Sequence, residues 1–201
     1  MDGKRTIPGY RARRGRFDVM TVPAMPFLMI DGHGDPNTAP EYAAALTTIY
    51  PVAYALKFLG KSTGRDHVVM PLEALWWADD LAAFTAERDK SRWDWTVMIT
   101  VPEWVTAEHV DVAREKVRTK DGVTRLPDIR LETFDEGLAV QTLHVGSYDA
   151  EAPVLDELHQ AVIPGLSLRM TGKHHEVYLS DARRTAPEKL RTILRQPVEH
   201  I

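Results

Sequence analysis

The chain of 201 residues contains no cysteine. Disulfide bonds, thiolate metal ligands and a thiol nucleophile are therefore excluded. The sequence also has no run of about 18 apolar residues that could span a membrane, and no apolar segment of signal length follows its N-terminus. Because the absence of cysteine suits a reducing compartment, we expect a soluble, cytoplasmic protein with no membrane partner.

Motifs for nucleotide binding and for serine hydrolysis are missing as well. The segment Gly32-His33-Gly34 lacks the third glycine of a dinucleotide fingerprint, and no Walker-type loop occurs. No serine lies in a Gly-x-Ser-x-Gly elbow. His174 and His175 are adjacent, so on a strand they point to opposite faces and cannot bind one metal ion together. We therefore expect neither a metal ion nor a cofactor.

The formal net charge of -4 argues against broad electrostatic binding to nucleic acid. A local exception is a basic cluster just before the first predicted strand, and two interpretations of it stay open. It is either a solvated N-terminal arm or a contact for an acidic partner. The cluster consists of Arg11, Arg13, Arg14 and Arg16.

A strand with an ionisable side chain is the most informative segment of the sequence. Side chains alternate along a strand, so Glu176 and Tyr178 should share one face of the segment 174–181, while Val177 and Leu179 point to the other. An acid on an internal strand is costly to desolvate unless it is paired or lines a wet cavity. We interpret Glu176 as part of a ligand site. The alternative is a solvated edge strand or pairing with a nearby arginine.

A similar pattern of predicted strands and helices occurs in both halves of the chain. In each half, a strand that closes on a glycine turn precedes a helix and then a strand with a central glutamate, Glu73 in the first half and Glu176 in the second. The pattern predicts an α+β fold in which each half contains a strand, a helix and a further strand with a central glutamate. We expect a single domain over residues 1–201, with halves at 17–90 and 91–201 and a ligand cleft between them.

Local signals complete the predicted order of elements. They predict a helix over 41–59 that Pro51 kinks or divides, a polar connector over 79–92 with a helical turn at 81–84, and a helix that begins after Thr106. Strands at 129–134 and 138–145 are expected to pair as a hairpin through Asp135-Glu136-Gly137. Thr185 and Glu188 fit a capping box for a last helix.

Aromatic side chains accompany both glutamates. If the halves pack about a pseudo-twofold axis, Glu73 and Glu176 face one cleft together with Trp76, Trp77 and Tyr178. Carboxylates and aromatic rings in one cleft suit flat, aromatic or cationic ligands. Core packing is the alternative explanation for each tryptophan, Trp95 included.

Three motifs resemble the stand-alone proteins of the GyrI-like small-molecule-binding family. They are Pro-Leu-Glu-x-Leu-Trp-Trp at 71–77, Leu-His-x-Gly-x-Tyr-Asp at 143–149 and His-His-Glu-x-Tyr-Leu-Ser-Asp at 174–181. The tail at 186–195 is similar too. The resemblance covers the chain from about residue 17 onward, and it implies tandem strand-helix-strand-strand units of the SHS2 type.

The resemblance also implies a function. Relatives fused to DNA-binding domains are drug-sensing regulators, some members bind DNA gyrase, and a stand-alone branch hydrolyses cyclopropane-bearing DNA-alkylating natural products of the yatakemycin type. This chain is most similar to that branch, so we expect a cyclopropanoid cyclopropyl hydrolase that serves resistance or detoxification. Because binding and turnover share one scaffold, the alternative is a non-catalytic receptor that sequesters or senses drugs. A third and weaker alternative is a protein that binds DNA gyrase.

Residue roles follow as a hypothesis. A water-poor cleft raises the pKa of a carboxylic acid and makes its carboxylate a better base, so Glu176 deprotonates the attacking water, with Glu73 as a second anchor or the base itself. Tyr178 or Tyr148 hydrogen-bonds the conjugated carbonyl of the substrate. His144 either reaches the ligand or satisfies a core hydrogen bond. The expected ligand contacts are Trp76, Trp77, Trp95, Met29, Met98 and His144.

Overall fold

A computed structural model describes residue 7, residues 9–79 and residues 89–201. Its chain forms two compact units. The first contains the described parts of Met25–Met70 and Ala74–Phe134, and the second contains the described part of Lys4–Ala24, then Pro71–Glu73 and Asp135–Ile201. The predicted halves divide the chain at other residues. The helical turn expected at 81–84 lies outside the described residues.

Four strands form the sheet of the first unit, in the order β3, β4, β2 and β5. Strand β2 is central because it pairs antiparallel with β4, at Leu28 opposite Ile99, and with β5, at Leu28 opposite Leu131. Their bounds are Met25–His33 for β2, Glu73–Trp77 for β3, Asp94–Thr100 for β4 and Arg130–Phe134 for β5.

The described part of the first unit contains two helices, α1 at Pro40–Ser62 and α2 at Ala107–Val117. Helix α1 begins with proline at its first turn, where the missing N–H costs nothing, and Pro51 does not divide it. In the described part of the chain it is the one helix long and apolar enough to cross a membrane by length and composition. Its residues Ile49, Val52 and Leu56 are fully buried, so core packing accounts for its apolar character.

The second unit has strands β1, β6, β9 and β8 in that order, with β7 paired to β9. Strand β9 is buried along most of its length because it lies between β6 and β8. The bounds are Asp18–Val22 for β1, Gly137–Val145 for β6, Leu168–Met170 for β7, His174–Tyr178 for β8 and Arg191–His200 for β9.

A helical segment connects β6 to β7 in this unit. It begins with α3 at Ala152–Asp156, continues in π-helical turns at Glu157–Val162 and ends with α4 at Ile163–Gly165. Leu158 and Ile163 pack with Val140 of β6 and Val198 of β9 in one apolar cluster. Short 3₁₀ turns occur at Lys90–Arg92, Leu126–Asp128, Tyr148–Glu151 and Pro187–Lys189.

The antiparallel α+β architecture confirms the predicted fold class. In chain order the first unit contains β2, α1, β3 and β4, and the second contains β6, the helical segment, β7, β8 and β9. The internal repeat, the cleft between the halves and the single-domain organisation stay predictions.

Two local predictions are wrong. Strands β5 and β6 do not pair as a hairpin, because β5 pairs with β2 and β6 pairs with β1 and β9. The last helix is also absent from the described tail. Thr185 precedes a single 3₁₀ turn that contains Glu188, and the residues after that turn form β9. Pairing of β9 with its neighbouring strands outweighs the local capping pattern.

Candidate functional site

One face of β8 carries a carboxylate and a phenol in direct contact. Glu176 and Tyr178 are two residues apart and therefore point the same way. The hydroxyl of Tyr178 donates a hydrogen bond of 2.7 Å to Oε2 of Glu176. The Glu176 side chain is 13% exposed, so the carboxylate is sheltered but reachable. The carboxylate is thus oriented by a neighbour on its own strand.

Tyr148 completes this face from the end of β6. It begins the 3₁₀ turn at Tyr148–Glu151, and its ring meets the Tyr178 ring edge to face, with centroids 5.6 Å apart and an interplanar angle of 77°. Edge-to-face packing places the positive edge of one ring on the negative face of the other. The structure therefore brings together Glu176, Tyr178 and Tyr148, three of the four residues predicted for catalysis.

Two histidines lie behind the carboxylate. His174 shares the Glu176 face of β8, and its Nε2 is 3.5 Å from Oε1 of Glu176. The ring of His159, from the π-helical turns, lies edge-on to His174 at 5.9 Å between centroids. Burial, and then the nearby His174, lower the pKa of His159 to about 4, so this imidazole is neutral at physiological pH.

His144 lies near the end of β6. Its Nε2 is 3.1 Å from the carbonyl oxygen of Ser147, and the residue is 6% exposed. When Nε2 carries the proton, the ring donates to that carbonyl and ties the start of the turn to the strand.

The opposite face of β8 carries a buried network of charged groups. His175 lies between two carboxylates, with Nε2 3.0 Å from Oε2 of Glu73 and Nδ1 2.8 Å from Oε1 of Glu136. Arg195 of β9 donates to Oε2 of Glu136 at 2.7 Å and to Oε1 of Gln141 at 3.0 Å. Each of the four charged side chains is at most 2% exposed. The sequence analysis placed Val177 and Leu179 on this face and did not predict a charged network there.

The pKa values in this network are set by its partners. Burial alone would raise the pKa of Glu136, but His175 and Arg195 together lower it to about 2. Burial would lower the pKa of His175, yet the charge and hydrogen bond of Glu136 and the hydrogen bond of Glu73 raise it. Glu136 is therefore ionised near neutral pH, and the charged form of His175 is favoured by its two carboxylate neighbours.

Tyr10 covers Glu73 from the N-terminal part of the chain. Its hydroxyl donates a short hydrogen bond to Oε1 of Glu73, and the residue is 4% exposed. Burial and then the charge of Glu73 raise the pKa of this phenol well above its ordinary value, so it stays protonated. Tyr10 and His175 thus occupy the two oxygens of the Glu73 carboxylate.

The structure does not bring the two predicted acids together. Glu73 contacts the His175 side of β8, whereas Glu176 points from the other face of the same strand. The Glu73 side chain is 1% exposed and the Glu176 side chain is 13% exposed. Of the two, Glu176 is the one that water or a ligand can reach in this conformation.

The first unit contains an aromatic cluster. The Tyr42 ring of α1 stacks on Trp76 with centroids 5.9 Å apart and meets Trp95 edge-on at 5.0 Å. Trp93 contacts Trp76 at 5.7 Å, and the guanidinium of Arg125 lies 6.0 Å from the Trp95 ring centroid. Trp76 and Trp95 are buried, whereas Tyr42 and Trp93 are partly exposed, so the last two are the rings that a ligand could touch.

The methionines predicted as ligand contacts lie in the core of the first unit. Met29 and Met98 pack with Phe27 and Leu75, and Trp77 packs against this apolar cluster. Met29 is 2% exposed and Met98 is fully buried. A ligand could reach either side chain only after the cluster had rearranged.

Sequence reasoning missed several residues of the buried network. Tyr10, Glu136, Gln141 and Arg195 come from segments that were interpreted as an arm, a turn, a hairpin and a helix. A correct strand assignment for residues 191–200 would have placed Arg195 beside Thr192, Ile193 and Val198 on a buried strand, where its charge needs a partner. Among the described residues, no group of three or more His, Asp or Glu side chains could hold a metal ion.

A sheltered carboxylate beside two tyrosine rings provides the few polar groups and the apolar surface that sites for small organic molecules combine. The chain belongs to the GyrI-like family, since the GyrI-like small molecule binding domain matches residues 16–199.

Solved structures extend this assignment. An uncharacterized conserved protein from Listeria innocua is 37% identical, with a TM-score of 0.87 and coverage of 99% of this chain and 100% of that chain. A hydrolase from Listeria innocua is 36% identical, with a TM-score of 0.83 and the same coverage. The C-terminal domain of EcmrR shares the fold at 13% identity and a TM-score of 0.59, over 92% of this chain and 98% of that domain. No curated protein matches significantly.

Proposed function

We propose that this protein binds flat, aromatic, hydrophobic or cationic molecules and hydrolyses cyclopropane-bearing genotoxic compounds by adding water. The observation that carries the proposal is the Glu176 carboxylate, held at 2.7 Å by Tyr178 on a strand face that remains partly exposed. The similarity to Listeria innocua proteins named hydrolases, at 36% identity over 99% of the chain, supports turnover over simple binding.

The proposed reaction opens a cyclopropane ring that is conjugated to a carbonyl. Glu176 accepts a proton from a water molecule, and the water oxygen bonds to the least substituted ring carbon. The ring carbon–carbon bond breaks, and its electron pair moves through the conjugated system to the carbonyl oxygen, which becomes a phenolate. The phenolate then takes up a proton and Glu176 releases the proton that it accepted, so the net change is the addition of one water molecule. Release of ring strain favours the products.

The two tyrosines have different roles in this proposal. Tyr178 has one hydroxyl proton and donates it to Glu176, so we assign it the positioning of the base. Tyr148, which packs on the Tyr178 ring, is then the donor that stabilises the developing phenolate. The sequence analysis allowed either tyrosine to hydrogen-bond the substrate carbonyl.

The aromatic cluster of the first unit supports the proposed ligand class. Partly exposed rings such as Tyr42 and Trp93 offer flat surfaces on which planar or cationic molecules stack. Their position over buried Trp76 and Trp95 holds them rigid, and rigid aromatic contacts lose little entropy on binding.

The test is to incubate the purified protein with a yatakemycin-type cyclopropane compound and to follow the compound by liquid chromatography with mass detection. The proposal expects a water adduct that accumulates over many turnovers. Glu176→Gln should lower the rate by about 100-fold or more, because amides are very weak bases. Glu199→Gln, which removes a carboxylate exposed on β9, is the matched control and should keep the wild-type rate.

Two outcomes would contradict the proposal. Intact compound retained at one molecule per protein would make the protein a non-catalytic binder. Turnover that survives in Glu176→Gln but is lost in Glu73→Gln would move the base to the buried network on the other face of β8.

A further inference from the structure

The N-terminal strap, residues 9–13, closes over the buried network of the second unit through its main chain. Arg195 donates to the Gly9 carbonyl at 2.6 Å, and Gln141 donates to the Arg11 carbonyl at 2.9 Å. The backbone N–H of Leu143 reaches the Arg13 carbonyl at 3.4 Å. The strap has no regular secondary structure, and these hydrogen bonds hold its main chain in place.

A single side chain fastens the strap to the network. Within residues 9–13 only Gly9 and Tyr10 are buried, whereas Arg11 and Arg13 are exposed. Gly9 has a φ of +97°, and a Cβ there would lie 2.7 Å from Nη2 of Arg195. A larger residue would therefore push the strap off the arginine. Gly9 and Tyr10 together present one carbonyl and one phenol to the network.

A purely structural role explains this arrangement poorly. Burying two carboxylates, an imidazole and a guanidinium costs several kcal/mol for each ion, and well-packed apolar side chains often stabilise a fold as well or better. Buried polar clusters of this kind occur at functional sites more often than elsewhere. The strap residues satisfy Glu73 and Arg195 just as an external molecule would, with a hydroxyl donor for one and a carbonyl acceptor for the other.

We propose that Gly9 and Tyr10 occupy a binding site for neutral phenols that carry a nearby carbonyl, and that such a ligand displaces the strap. Glu73 accepts a hydrogen bond from the phenol of the ligand, and Arg195 donates one to its carbonyl oxygen. The site is distinct from the Glu176 face of β8 and requires no hydrolysis, so this proposal stands or falls independently of the proposed function.

The charges of the site select the class of ligand. Glu73 and Glu136 are acidic side chains, and Arg195 and His175 are basic side chains in contact with them. A neutral ligand adds no charge to this buried cluster, whereas a carboxylate would meet Glu73 at close range. An aromatic ring without a hydroxyl would leave one Glu73 oxygen buried without its donor, which should weaken binding by about 10-fold or more.

The probe is N-acetyltyrosinamide, since its acetyl carbonyl and hydroxyl reproduce the groups of Gly9 and Tyr10. Its matched partner is N-acetylphenylalaninamide, which lacks only the hydroxyl. Titration calorimetry should show that Tyr10→Ala binds the tyrosine probe at least about 10-fold more tightly than the wild type, because no side chain competes. The same variant should prefer the tyrosine probe to the phenylalanine probe by about 10-fold or more. Tyr54→Ala removes an exposed tyrosine of the first unit and should bind as the wild type does.

A second measurement uses the wild-type protein and does not depend on the folding of a variant. Arg11 and Arg13 are exposed trypsin sites in the strap, and displacement of the strap should make them easier to cleave. The tyrosine probe should accelerate cleavage at these residues, and the phenylalanine probe should not. Equal binding of both probes by Tyr10→Ala, or cleavage that no probe accelerates, would overturn the proposal and leave Tyr10 as a structural plug.

Discussion

His175 and Glu136 form a buried pair in which Nδ1 of the imidazole lies 2.8 Å from Oε1 of the carboxylate. The second oxygen of Glu136 accepts from Arg195 at 2.7 Å. The carboxylate is thus held between two cationic groups, and its ionised form is stabilised by both. The stability of the second unit therefore depends on whether the buried Glu136 carboxylate is protonated.

Acid should weaken the fold through Glu136. Its pKa of about 2 in the folded protein is below the ordinary 4.5, so the unfolded chain binds a proton first as the pH falls. The carboxylate stabilises the fold fully above pH 4.5, by about 3 kcal/mol, and this stabilisation is lost as the pH falls toward 2. Urea unfolding at pH 5.5 and pH 3 measures it. The free energy of unfolding should fall by about 2 kcal/mol more in the wild type than in Glu136→Gln.

The control for this measurement is Glu199→Gln, which removes an exposed carboxylate of β9. Its free energy of unfolding should follow the wild-type pH dependence closely. Parallel curves for the wild type and Glu136→Gln would mean that the carboxylate gains nothing from His175 and Arg195.

Loss of Arg195 should be among the most destabilising single changes. Arg195→Met removes the donor to Glu136, Gln141 and the Gly9 carbonyl and leaves a carboxylate buried beside fewer partners. Breaking a buried ion pair from one side costs about 3–5 kcal/mol. Arg191→Met is the matched control, because Arg191 lies on the same strand with an exposed side chain. Thermal unfolding followed by circular dichroism should show a large fall in the midpoint for Arg195→Met only; equal midpoints would contradict the importance of the network.

Local patterns predicted the elements better than their partners. Helix α2 begins directly after Thr106, as the capping residue indicated, and β8 has the alternation expected from its sequence. Strand pairing depends instead on residues far apart in the chain. The hairpin through Gly137 failed for that reason, since a tight turn signal does not state which strands meet.

Within the candidate site, contacts between residues close in sequence were predictable and contacts between distant segments were not. Glu176 and Tyr178 could be predicted to touch because they are two residues apart on one strand, and Tyr148 came from a family motif. The contact between Gly9 and Arg195 spans 186 residues, and no local pattern in either segment announces it. Buried polar networks built from distant segments therefore escape a reading of one sequence, even where each member is a conspicuous charged residue.

Gly32 should not tolerate a side chain. A Cβ at this position of β2 would lie 2.1 Å from the indole of Trp95, whose ring is fully buried and cannot move aside. Overpacking of this kind typically costs about 1–3 kcal/mol. Gly32→Ala should lower the free energy of unfolding accordingly and change the near-ultraviolet circular dichroism of the tryptophans. Gly165→Ala, where a Cβ meets no atom within 4 Å, should leave both unchanged. Unaltered stability of Gly32→Ala would show that the aromatic cluster is looser than its packing indicates.

Tyr178→Phe should slow the proposed hydrolysis because the variant loses the hydrogen bond that orients Glu176. We expect kcat to fall about 10-fold to 100-fold, with a smaller change in KM, since the phenol acts on the base and not on the bound ligand. Combining each change with Glu176→Gln separates positioning of the base from a general loss of structure.

If Tyr178 acts through Glu176, adding Tyr178→Phe to Glu176→Gln should cause no further loss of rate. If Tyr148 acts on the substrate carbonyl, adding Tyr148→Phe to Glu176→Gln should lower the residual rate again. Additive losses for Tyr178 would place its hydroxyl on the substrate and leave the Glu176 carboxylate to be oriented by His174 alone.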